Sequence, residues 1–151
     1  MDSTEYKKIL TMAINNEIEA YEFYSSAAEK SKTANLKATF KELADEELNH
    51  KKTLEHFVNN ESKQMQFQNV ADYKLSESVE LPKLTSEMSF ADGIALAMKK
   101  EEEAMLMYTK FAEISSTQEQ KEIFLQLAKM EQGHKTRLED LYSNTAYTEV
   151  W

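Results

Sequence analysis

Leu43-Ala44-Asp45-Glu46-Glu47-Leu48-Asn49-His50 decides the fold, because it returns 84 residues later as Leu127-Ala128-Lys129-Met130-Glu131-Gln132-Gly133-His134. Each copy sets a glutamate three residues before a histidine. Outward from these octets, Glu17 precedes Glu47 and His50 by 30 and 33 residues, and Glu101 precedes Glu131 and His134 by the same 30 and 33. A single Glu-x-x-His arises readily in so acidic a chain. A duplicated set of four carboxylates and two imidazoles is the ligand inventory of a carboxylate-bridged two-metal centre inside a four-helix bundle.

The residues around those ligands follow a heptad-like rhythm. Leu36, Phe40, Leu43, Glu47, His50, Leu54 and Phe57 are separated by steps of four and three, and Phe124, Leu127, Glu131, His134, Leu138 and Leu141 repeat the pattern. Leu10, Ala13, Glu17, Ala20, Tyr24 and Ala27 form a third stripe, matched by Ile94, Ala97, Glu101, Ala104, Tyr108 and Phe111. Such spacing puts each set on one buried face of a helix. Four helices are predicted, over about 4–31, 34–59, 88–115 and 118–143. Asp2 with Glu5, Thr33, Ser89 with Asp92, and Thr117 with Gln120 supply their N-terminal caps.

The connections set the topology. A few residues near Lys32–Ala34 join the first two helices, and a similarly tight turn near Ser115–Thr117 joins the last two, so each pair is antiparallel. Residues 60–87, with the single proline at Pro82, form a long crossover able to run the length of the bundle. A short helical piece at Asn69–Tyr73 is allowed within it. The expectation is one all-α domain over 1–151, a ferritin-like four-helix bundle of two antiparallel helix pairs.

Composition agrees and narrows the function. Only 2 Gly and 1 Pro among 151 residues leave little material for turns. The absence of cysteine excludes thiolate metal sites, disulfides and iron–sulfur clusters from this stretch. A net charge of -9 argues against nucleic-acid partners, which require a basic face. No apolar run approaches the ~20 residues needed to span a bilayer, and the N-terminus lacks a signal-peptide core, so no membrane partner and a cytoplasmic location are expected.

All six ionisable residues fall on apolar stripes, where a lone charge costs several kcal/mol unless paired or metal-bound. No Lys or Arg stands at that level to pair with them. A metal-free core would need four stacked carboxyls, mostly protonated. Charge counting favours two divalent cations instead, since four ionised glutamates supply four negative charges and neutral histidines none. Glu47 and Glu131 are the expected bridges, Glu17 and Glu101 the terminal carboxylates, and His50 and His134 one imidazole per metal. An oxygen-rich set with one nitrogen each suits iron or manganese better than zinc or copper.

These motifs resemble the rubrerythrin branch of the ferritin-like superfamily over about residues 4–143. Glu17-Ile18-Glu19-Ala20-Tyr21-Glu22-Phe23-Tyr24 is similar to that family's Glu-x-x-Ala-x-x-x-Tyr pattern, and the two octets to its Glu-x-x-His helices. The resemblance implies two iron ions, with Fe/Mn or zinc substitution possible. It also implies catalytic and metal-binding roles for Glu17, Glu47, His50, Glu101, Glu131 and His134. The implied activity is reduction of hydrogen peroxide or dioxygen. Two differences stand out. Rubrerythrin carries a cysteine-ligated rubredoxin domain that delivers electrons; without cysteine here, the donor is expected to be external, a rubredoxin-like protein or a reductase. Rubrerythrin also has an extra glutamate one turn after the third-helix ligand, where this chain has Ala104. A six-ligand, nearly symmetric centre is therefore expected, closer to bacterioferritin in its inner shell.

Other residues are read more plainly. Tyr24 and Tyr108, also 84 apart, are candidate outer-shell partners of the site carboxylates. Glu46, Glu102 and Glu103 lie off the stripes and read as solvated surface, as does His56. Gly133 either admits a close helix or is merely tolerated. Met98, Met105, Met107 and Met130 read as core filling or exposed surface. The segment Tyr142–Trp151 is too short for a fifth helix, though Tyr147 and Trp151 could join a dimer contact. A homodimer is the expected assembly. Two alternatives to the oxidoreductase stay open: a ferroxidase feeding iron storage in a larger shell, and a non-catalytic bundle with structural glutamates or zinc.

Overall fold

A computed structural model describes residues 3–59, 81–85 and 87–145. They form four helices: α1 (Ser3–Lys30), α2 (Ala34–Asn59), α3 (Phe90–Ile114) and α4 (Gln118–Thr145). The cap at Asp2, the helical piece at Asn69–Tyr73 and the aromatic pair Tyr147 and Trp151 lie outside the described residues.

Local chemistry explains the helix limits. Thr33 Oγ1 accepts from the Leu36 amide at 3.2 Å, and Thr117 Oγ1 accepts from Gln120 N at 3.2 Å, so the same cap opens α2 and α4. The Gln120 side-chain amide donates back to Ser115 Oγ at 3.0 Å. Ser89, in an extended conformation, accepts from Asp92 N at 3.2 Å, so α3 begins at Phe90, two residues later than the sequence pattern predicts. At the other ends, Ser31 and Ser115 each turn a hydroxyl back on the preceding helical turn, to Ala27 O and Phe111 O at 2.6 Å. Lys37 Nζ lies 3.3 Å from Glu29 O, placing a cation on the C-terminal carbonyls of α1.

Helix α1 packs along α2, and α3 along α4. Two apolar clusters show how the hairpins meet. One gathers Leu10 and Ala13 of α1, Leu54 of α2, Phe111 of α3 and Phe124 of α4. The other gathers Phe23 and Tyr24, Phe40 and Leu43, Ile94, and Leu138. The first cluster unites the start of α1 with the ends of α2 and α3 and the start of α4. Helix α2 thus finishes at one end of the bundle and α3 begins at the other, as a lengthwise crossover requires. The stripes predicted from sequence are the buried faces, with Ala20, Phe57, Ala104 and Leu141 only partly covered.

Gly93 marks one close approach. A Cβ there would stand 2.9 Å from Phe23 Cζ, so only glycine lets the Phe23 ring lie this near the α3 backbone. Gly133 is different: a Cβ there would meet nothing within 4 Å, which removes close helix packing as its explanation.

Candidate metal centre

The two apolar clusters leave a polar layer between them. Glu17 stands midway along α1, Glu101 on α3, Glu47 with His50 on α2, and Glu131 with His134 on α4. Their spacing on each helix turns every one inward, and all six are at most 3% exposed. The Glu-x-x-His spacing places carboxylate and imidazole on adjacent turns of the same face.

The six side chains divide into two groups. Glu17, Glu47, His50 and Glu131 bring ligand atoms within 4.8 Å of one another, and Glu47, Glu101, Glu131 and His134 do the same. Glu47 and Glu131 belong to both groups, the positions expected of bridging carboxylates. His50 Nδ1 lies 2.5 Å from Glu131 Oε1 and 3.7 Å from both Glu17 Oε2 and Glu47 Oε1. His134 Nδ1 lies 2.7 Å from Glu47 Oε1 and 3.7 Å from Glu101 Oε1. The imidazole rings stack at 5.8 Å, nearly parallel at 12°.

Phenols close the layer above and below. Tyr24 Oη donates to Glu101 Oε1 at 2.7 Å, and Tyr108 Oη donates to Glu17 Oε1 at 2.5 Å. Each tyrosine also stacks on a phenylalanine at 6.3 Å and 20°, Tyr24 on Phe40 and Tyr108 on Phe124. The outer nitrogens of the histidines find unlike partners. His134 Nε2 meets Glu46 Oε2, whereas His50 Nε2 faces the Met130 thioether at 3.4 Å. Arg137 holds Glu46 from outside, its Nη1 3.6 Å from Glu46 Oε2. On the α1–α3 side, Glu19 takes both the Lys100 ammonium at 2.5 Å and the Leu84 amide at 2.9 Å, which ties the segment before α3 to α1.

Crowding of buried carboxyls sets the electrostatics of the metal-free site. Burial, then repulsion from Glu101 and Glu17, pushes Glu47 and Glu131 well above the ordinary carboxylate value, so both hold protons readily. Glu101 moves the other way: burial opposes its charge, but the nearby Glu131 and His134 groups, the His134 charge and the Tyr24 phenol together lower it. Burial disfavours a charged His134, yet close contact with and attraction from the Glu101 and Glu47 carboxylates raise it to about 11. Burial and the surrounding carboxylates push both tyrosines far up, which keeps them neutral donors.

Whether cations suit this layer is decided by its unsatisfied atoms. Glu17 Oε2, Glu47 Oε1, His50 Nδ1, Glu101 Oε2, Glu131 Oε1 and His134 Nδ1 are buried without a well-directed hydrogen bond. His50 Nδ1 with Glu131 Oε1, and His134 Nδ1 with Glu47 Oε1, are close but misaligned for one. One such atom comes from each of the six residues, and buried polar atoms are rarely left unpaired. All six are surplus to a hydrogen-bonded core, and oxygen and nitrogen donors that converge in two groups fit two divalent cations.

Helix order, crossing and this carboxylate–imidazole layer define the class: a ferritin-like four-helix bundle with a candidate dinuclear metal centre. The family model described as Rubrerythrin matches residues 8–142, and the chain belongs to the rubrerythrin family. A solved structure, described as a hypothetical protein from Pyrococcus furiosus, is 34% identical. Its TM-score is 0.69, and the match covers 91% of this chain and 87% of that one. No curated protein matches the chain. No helix among the described residues is long and apolar enough to cross a membrane.

The structure brings the six candidate ligands and both tyrosines to one place. Two expectations change. Glu46 is not free surface: it reaches across to the His134 ring of α4. Met130 is neither simple core nor simple surface, since its sulfur stands against His50. Helical periodicity assigns residues to a face of their own helix and says nothing of a neighbouring helix's edge, which is where both act. Positions 46 and 130 are one of four aligned pairs at which the two octets differ, so the repeat alone does not single them out. His56 is exposed, as predicted. Ala104 packs on the first apolar cluster and adds no ligand.

Proposed function

We propose that this chain is a di-iron carboxylate oxidoreductase that reduces hydrogen peroxide or dioxygen with electrons from an external donor. The observation that carries the reading is the set of six buried donor atoms, one from each of Glu17, Glu47, His50, Glu101, Glu131 and His134, left without hydrogen bonds. These residues would hold two iron ions, Glu47 and Glu131 shared between them. Bound iron would supply the two electrons that, with two protons, convert hydrogen peroxide to two waters.

The chain's own part is positional. Tyr24 and Tyr108 hold Glu101 and Glu17 by one oxygen and leave the other buried without a hydrogen bond. The apolar clusters on both sides keep bulk water from the layer and strengthen electrostatic interaction within it. Glu47 and Glu131 are bases whose elevated affinity for protons lets them exchange a proton for a cation.

The near-symmetric ligand set and Ala104 favour a second reading, a ferroxidase that oxidises ferrous ion for storage. One experiment separates the two. The purified chain is loaded anaerobically with two ferrous ions and mixed with hydrogen peroxide or with air-saturated buffer in a stopped-flow instrument. Reoxidation by peroxide far faster than for free ferrous ion, with turnover sustained by a chemical reductant and no mineral formed, supports the oxidoreductase. Growth of a ferric mineral inside a large assembly supports storage. A dimer is the assembly we propose for the oxidoreductase, with a rubredoxin-like protein or reductase as donor.

A further inference from the structure

The 84-residue repeat relates nearly every part of the centre to a counterpart: Glu17 to Glu101, Glu47 to Glu131, His50 to His134, Tyr24 to Tyr108. It fails where the outer nitrogens of the two histidines find their partners. Position 46 is a glutamate and position 130 a methionine. We propose that the two metal positions are unequal because of this difference. Glu46 makes the position formed by Glu47, Glu101, Glu131 and His134 bind its cation more tightly than the one formed by Glu17, Glu47, His50 and Glu131. The inference rests on the metal-centre reading above and adds an order of filling to it.

Both histidines turn Nδ1 into the layer and Nε2 outward. A cation on Nδ1 leaves the ring proton on Nε2, so the outer partner governs how strongly the ring donates. His134 Nε2 has a carboxylate oxygen of Glu46. A hydrogen bond to an ionised acceptor is roughly twice as strong as one between neutral groups. It shifts electron density into the ring and raises the basicity of the ligating nitrogen. His50 Nε2 has the Met130 sulfur at 3.4 Å, a weak acceptor without charge.

Arg137 fixes the Glu46 carboxylate in this role. Its Nη1 lies 3.6 Å from Glu46 Oε2 and its Nη2 3.4 Å from Glu42 Oε2. Arg137 is about a third exposed, so solvent weakens its pull on the carboxylate charge. Other features match between the two positions: each has one terminal glutamate held by one tyrosine, and Glu47 and Glu131 are common to both. Glu46 is thus a positioning residue, acting on the metal through His134.

Anaerobic titration of the purified full chain with Co²⁺, followed by calorimetry and visible absorption, tests this. Two steps of one cation each are expected, the first tighter. Glu101→Ala should remove the tighter step and Glu17→Ala the weaker, which assigns them. Glu46→Gln should weaken the tighter step by about 10–100-fold and leave the other in place. Met130→Glu should strengthen the weaker step and draw the two together, a gain that no structural damage would produce. Circular dichroism of the metal-free variants checks that each remains helical. Two equal steps in the unsubstituted chain, or equal weakening of both by Glu46→Gln, overturns the inequality while leaving the metal centre intact. No Co²⁺ binding at all overturns both.

Discussion

Tyr108 on α3 donates a 2.5 Å hydrogen bond to Glu17 on α1, and 84 residues earlier Tyr24 on α1 returns the bond to Glu101 on α3 at 2.7 Å. The two hairpins are therefore locked by reciprocal buried bonds at the level of the candidate ligands. Each phenol takes up one carboxylate oxygen, and the other oxygen of each glutamate stays buried without a hydrogen bond.

Tyr108→Phe should leave Glu17 Oε1 buried without its donor. The expected loss is about 1–3 kcal/mol, the usual cost of orphaning a buried acceptor. Urea denaturation of the chelated chain measures it, with the slope unchanged. A midpoint equal to that of the unsubstituted chain would show that the phenol contributes packing alone.

Metal removal gives a larger effect. Cations that bind only the folded chain stabilise it by mass action, about 2.7 kcal/mol for one site at a hundredfold excess over Kd. Melting temperature should therefore rise when Mn²⁺ is added to the chelated chain. Glu47→Ala should abolish that rise, because Glu47 belongs to both groups. Equal melting temperatures with Mn²⁺ and with chelator would mean a bundle that needs no metal.

The chelated chain should also lose stability as pH rises. His134, raised from 6.5 to about 11, contributes stability that is complete below 6.5 and disappears as pH climbs through the folded value. Glu47 and Glu131, raised from 4.5, act in the same direction. Glu101 is lowered, so its contribution is lost only as pH falls below 4.5 and does not offset the others at neutral pH. Thermal melting in chelator should fall between pH 6.5 and about 9, with a slope of at most about 1.4 kcal/mol per pH unit for each such group. With Mn²⁺ present the fall should shrink or reverse, because deprotonated ligands bind cations better. A flat profile in chelator would show that these groups do not hold protons in the folded chain.

Much of this was legible in the sequence because repetition and periodicity act along a single helix. The stripes through Glu47–His50 and Glu131–His134 are buried as read except at their ends, Phe57 and Leu141, and Thr33 and Thr117 cap α2 and α4 as expected. What the sequence could not give lies between helices. Glu46 looks solvent-facing on α2, yet α4 supplies His134 beside it. Met130 looks interchangeable with other methionines until His50 is placed against it. The same holds for Glu19, whose partners Lys100 and Leu84 lie 81 and 65 residues away.

The two glycines separate packing from propensity. In a helix interior glycine is less favourable than alanine by about 0.8–1.0 kcal/mol, so alanine helps wherever its methyl has room. At Gly133 a Cβ meets nothing within 4 Å, and Gly133→Ala should stabilise the chain by up to about 1 kcal/mol. At Gly93 the new methyl stands 2.9 Å from Phe23 Cζ, and the Phe23 ring is only 3% exposed within the second cluster. Displacing a packed ring costs about 1–3 kcal/mol, which outweighs the helical gain. Gly93→Ala should therefore destabilise while Gly133→Ala stabilises, as read by paired urea melts of the chelated chain. Equal shifts of the same sign at both positions would mean that the Phe23 ring yields freely and that α1 and α3 are not held at this spacing by the glycine.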